Sequence, residues 1–130
     1  MSSFKFGGFQ SNIDTQEYEF QLKIESDYAN MTAEIEKIKS ENRSDYIKGY
    51  CRAVFSFFNA VFGEGTDKKM FGDKTNMRIC DDAIYSFSIA LADDMKEYQE
   101  HSIEQVEAIN KTFNALDTAK NNRTQRRAKK

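Results

Sequence analysis

The sequence predicts an all-α protein: a helical bundle of three to four helices, with a short extended N-terminal segment and a disordered basic C-terminal tail. Three observations carry this reading. Apolar residues recur at spacings of three and four through most of the chain, which is the period of one helix face. The 130 residues include no proline, so no helix interior loses a backbone donor to one. The charge is also divided unevenly. Residues 119–130 hold six of the 19 basic residues and no acid, leaving 13 against all 21 acidic residues, a net of −8, over residues 1–118. We therefore expect one helical domain, 1–118, followed by a basic disordered tail, 119–130.

The chain opens FKFGGFQSNID. Phe4 and Phe6 alternate with polar residues until Gly7-Gly8 interrupts them, which suits a short extended segment or a turn. Phe4, Phe6 and Phe9 are expected to dock on the helical body. Asp14 with Glu17 three residues later reads as a helix start. Phe20, Ile24, Tyr28, Met31, Ile35 and Ile38 then form one stripe on a helix from about 15 to 40.

Asn42 and Ser44 offer the next cap. From Tyr46 to Phe62 the apolar residues fill an arc of roughly half the helix circumference at about 100° per residue. Gly49, Ala53, Ser56 and Ala60 add a stripe of small side chains that lets another helix come close. This is the expected central helix, where each buried Phe contributes about 2 kcal/mol or more. Gly63 ends it. Thr66 is placed to cap one turn, Asp67–Phe71, closed by Gly72, with Met70 and Phe71 anchoring that turn to the core.

Thr75 or Asn76 caps the last helical region. Met77, Cys80, Ile84, Phe87, Leu91 and Tyr98 keep one stripe. After His101 the phase moves to Ile103, Val106, Ile109, Phe113 and Leu116. A single straight helix over 77–118 would be about 60 Å long, against roughly 36 Å across a compact domain of this size. A bend or break near residues 99–102 is the expected solution; the alternative is a helix that packs against another chain, which makes a homodimer plausible.

No constellation for catalysis, cofactor or metal emerges, and the chain is not expected to be an enzyme. His101 stands alone between Glu100 and Ser102. Cys51 and Cys80 fall inside apolar patterns, match no zinc spacing and read as reduced core thiols. The pairs Asp81-Asp82 and Asp93-Asp94 point about 100° apart on a helix, so neither converges, and Asp81, Asp82 and Asp93 lie opposite the apolar stripe on a solvated face. GEGT at 63–66 lacks the Gly-Lys-Ser/Thr ending of a phosphate loop. No apolar run approaches the ~20 residues of a membrane span, nothing at the N-terminus resembles a signal peptide, and the expected compartment is the cytoplasm.

Two features read as interaction surfaces. Ile89 projects on the polar side of its helix beside Tyr85. The basic tail has the charge to meet phosphates by counterion release or to dock on an acidic protein, but it lacks aromatics for stacking bases.

Three stretches, FKFGGFQ, AVFGEGTDKKMFGDKTN and NRTQRRAKK, occur in that order. Together they resemble a small protein family of bacteriophages and prophages of Gram-positive bacteria, itself similar to the tail assembly chaperones of long-tailed phages. Phe62, Gly63, Gly65, Met70, Phe71 and Gly72 match the loop, and Asn122, Arg123, Gln125, Arg126 and Arg127 match the ending. The resemblance implies a protein of the bacterial host cytoplasm that coats the tape-measure protein, a long apolar helical chain, until tail-tube subunits polymerise around it. The candidate partner contacts are Asn122, Arg123, Gln125, Arg126 and Arg127 of that ending, with Ile89 and Tyr85 from the exposed helix face. The alternative is a small nucleic-acid-binding or regulatory protein acting through its basic tail.

Overall fold

The structure, a computed structural model, describes residues 2–128, with the side chains of Ala119 and of residues 121–128 outside the description. The first strand, β1 (Ser2–Phe6), pairs antiparallel with β2 (Phe9–Ile13), and Phe6 faces Phe9 across the turn. The expected extended segment is thus a β-hairpin, and the fold is mostly helical with a two-stranded sheet, not all-α. The hairpin persists because its inner face is apolar. Phe4 and Ile13 are buried, and the Phe4 ring stacks 5.9 Å from both Phe58 and Phe62 and meets Phe87 edge-on at 5.1 Å. Phe6 and Phe9 pack against the same core, as expected. At the turn Gly7 has φ 58, and a Cβ there would lie 2.3 Å from the Met70 carbonyl oxygen. The neighbouring Gly8 N–H donates to the Lys69 carbonyl at 2.9 Å.

Helix α1 spans Tyr18–Glu36, shorter at both ends than the stripe predicted. Asp14 does not cap it. Its carboxylate accepts from the Gln16 N–H at 3.0 Å and its carbonyl from the Glu17 N–H at 3.2 Å. This is a turn before the helix, in which a short acidic side chain bonds the backbone two residues on. Only Met31 of α1 is buried.

Helix α2 (Arg43–Phe62) starts at Asn42, whose side-chain oxygen accepts from the Asp45 N–H at 2.9 Å. It buries Cys51, Ala53, Val54, Phe57, Phe58 and Val61, and is the central core helix its broad apolar arc implied. Where Gly49 sits, a Cβ would come within 3.2 Å of the Ile38 side chain, so the small stripe does admit a close neighbour. The short helix also forms, but Thr66 is its first residue rather than its cap, a position Gly65 takes. α3 (Thr66–Phe71) has Thr66 donating to the Gly63 carbonyl at 2.7 Å and the Asp67 N–H donating to the Asn59 side chain at 2.9 Å. Met70 and Phe71 are buried beneath it.

Helix α4 spans Met77–Ala128. Asn76 caps it, accepting from the N–H groups of Arg78 at 2.8 Å and Ile79 at 3.2 Å. The break expected at 99–102 is absent. That stretch contains neither glycine nor proline, and its Glu, Gln, His and Ser side chains sustain a helix without tertiary help. The shift in apolar phase therefore changes which face is apolar without interrupting the backbone. The chain divides inside α4 into two units, Met1–Met95 and Lys96–Lys130. The first contains the whole buried core. The end expected to be disordered continues α4 as helix to Ala128, and the side chains of Asn122, Arg123, Gln125, Arg126 and Arg127 lie outside the described residues.

Candidate functional site

Within the unit Met1–Met95, α1 and the first turns of α4 both lean on α2 but leave a groove between them. Phe87 explains the α4 side. Its ring lies 5.6–5.9 Å from Phe57, Phe58 and Phe62, which anchors that helix in the aromatic core. On the other side α1 contributes only Met31 to full burial, so the rest of its stripe remains half-covered. The groove has a volume of about 680 Å³. Ile24, Tyr28, Met31 and Ile35 form one wall, Tyr50 and Phe57 the floor, and Ile84, Tyr85, Phe87 and Leu91 the other wall. Two tyrosines stand at its rim, Tyr28 with 51 % and Tyr85 with 67 % of their surface exposed.

The groove has one built polar contact, the Tyr50 hydroxyl donating to the Asp81 carboxylate. Burial raises the Tyr50 hydroxyl above the ordinary tyrosine value, and the bond to Asp81 adds to it. The phenol therefore stays a neutral donor, fixed to a carboxylate. An apolar trough of this kind, with a single polar handle, suits recognition of apolar side chains, and its helical walls suit an amphipathic helix laid between them.

The sequence-derived sites sort as follows. Tyr85 lies on the groove. Ile89, 42 % exposed, lines instead a second cavity of about 270 Å³ beside β1, with Ser2, Phe4 and Asp93. The two do not share a cavity, although one turn separates them. Ile24, Ile35 and Leu91 were read only as core stripe, yet they line the open groove.

Asp81, Asp82 and Asp93 are exposed, as expected, but Asp94 is not. Only 3 % of Asp94 is exposed. Its carboxylate accepts from the Ser2 N–H at 2.7 Å, the Thr15 N–H at 2.8 Å and the Thr15 hydroxyl at 2.7 Å. Burial disfavours its charge, but the bonds from Thr15 and Ser2 outweigh burial and hold the carboxyl below its ordinary value. Asp94 is a latch between α4 and the two ends of the hairpin, a role that its local pattern does not indicate.

Cys51 and Cys80 are free and buried. Burial raises both thiols, and they are hydrogen-bonded to each other. Such thiols carry little thiolate and are poor nucleophiles. His101 is exposed on α4, in the other unit. Among the described residues no group of three or more His, Cys, Asp or Glu is placed to hold a metal ion, and no helix is long and apolar enough to cross a membrane.

Residues 7–130 match a family described as "Family of unknown function (DUF6673)", and the chain belongs to that family. No curated protein and no solved structure matches it.

Proposed function

We propose that this member of the family is a phage tail assembly chaperone, or a related tail-morphogenesis factor, that holds apolar helical stretches of a tape-measure protein in the bacterial cytoplasm. The groove between α1 and α4 carries the reading. Its walls are helical, its lining is apolar and its rim is aromatic. A partner helix enters it as a row of anchors at i, i+3 or i+4, and i+7. Rim tyrosines supply large contact area with few torsions to freeze. The net of −8 over residues 1–118 opposes aggregation of the complex. Bond-making has no part in this activity. The chain excludes water from an apolar surface that would otherwise associate with copies of itself.

Co-expression tests this. With the chain present, a phage tape-measure protein should remain in the soluble fraction; alone, it should sediment. Equal sedimentation with and without the chain would reject the proposal.

A further inference from the structure

In the unit Lys96–Lys130, Ile103, Val106, Ile109, Phe113 and Leu116 are each at least half exposed. From Ser102 the seam Val106, Ile109, Phe113, Leu116 advances by alternating steps of four and three. That is a mean period of about 3.5, the repeat of a helix that wraps around another helix. Charge is graded along the same segment. Glu97, Glu100, Glu104 and Glu107, against one base at Lys96, occupy its first half, whereas Lys111, Lys120, Arg123, Arg126 and Arg127, against one acid at Asp117, occupy its second.

We infer that this face is covered by the same face of a second copy, running antiparallel. The gradient selects both the occupant and the direction. A parallel pair sets four glutamates beside four glutamates and one basic end beside the other. An antiparallel pair sets each acidic half along a basic half, and opposes the two helix dipoles. The glutamates and Lys111 lie off the seam, whereas Lys120, Arg123 and Arg127 continue its spacing beyond Leu116, so the two halves attract as a field over about a Debye length rather than as contact pairs. Seam register follows from the same spacing. Val106 lies opposite Leu116 of the second copy and Ile109 opposite its Phe113, about a twofold axis beside Lys111. Ser102 then meets Lys120, which closes the apolar seam at both ends. The inference shares no residue with the groove and does not rest on the chaperone reading.

The test uses the full chain alone. Sedimentation equilibrium should give twice the mass of one chain, and Phe113→Lys should return it to one. For direction, V106C protein is mixed with tagged L116C protein and mildly oxidised; the native thiols, being buried, do not compete. The mixed V106C–L116C product should exceed each self-linked product several-fold. A single-chain mass for the unmodified protein, a dimer unaffected by Phe113→Lys, or a predominance of V106C–V106C links would each overturn the inference.

Discussion

A carboxylate with 3 % of its surface exposed is stable only if donors surround it, and Asp94 takes three from two residues, Ser2 and Thr15. Replacing it with Ala leaves those donors facing a void. We expect Asp94→Ala to lower unfolding free energy at pH 7 by on the order of 3 kcal/mol, since bonds to a charged group contribute about 1.5–3 kcal/mol each and are only partly replaced by water. The sign with pH follows from the lowered carboxyl. The unfolded Asp titrates near 3.9, so the contribution is complete above that pH and is lost as pH falls through the lower folded value. Denaturant titrations should show the wild-type advantage narrowing only below about pH 4. An advantage unchanged down to pH 2 would show that the charge is not what holds the latch. This residue was not legible beforehand. Beside Asp93 it reads only as half of a carboxylate pair that does not converge, and its partners lie 92 and 79 residues away in sequence. A single chain carries no record of such pairings, whereas local caps such as Asn42 and Asn76 are decided within three residues and were read from residue type alone.

Elements were legible in proportion to how local their causes are. α2 and α3 followed from an apolar arc, a cap and glycine stops. The hairpin was half legible. Alternating Phe4 and Phe6 announced extended chain, but pairing with residues 9–13 depends on the fit of the turn against α3. Gly7 carries that fit, and Gly7→Ala is expected to cost at least about 2 kcal/mol, from a left-handed backbone and from a Cβ 2.3 Å from the Met70 carbonyl oxygen. Gly65 also has positive φ, but a Cβ there meets nothing within 4 Å, so Gly65→Ala should cost roughly 1–2 kcal/mol from the backbone alone. Thermal unfolding of the two variants checks the order, and a reversal would remove the hairpin turn from its place against α3. Two element readings failed for identifiable reasons. Asp14 reads as a cap because turns and caps use the same short polar side chains. The break in α4 was inferred from a shift of stripe, but a stripe records what covers a helix, and the backbone follows helix-forming residues regardless.

At the scale of the molecule, the same distinction decides what the sequence could say about function. The stripes of α1 and α4 were read as core, and in part they are: Met31, Cys80, Ala83 and Phe87 are buried. Whether Ile24, Ile35 and Leu91 are covered as well depends on how closely the two helices approach over Phe57, and no periodicity contains that distance. The groove is what remains where they do not meet.

The central claim is that this groove grips an apolar helix. It is tested most directly by titrating an apolar helical segment of the tape-measure protein into the wild type and into the double variant Tyr28→Glu/Tyr85→Glu. Both rim tyrosines are more than half exposed, so the variant should unfold within about 1 kcal/mol of wild type. The account predicts saturable binding to the wild type and at least about tenfold weaker binding to the variant, a loss of about 1.4 kcal/mol. Equal affinity for the two proteins would contradict it.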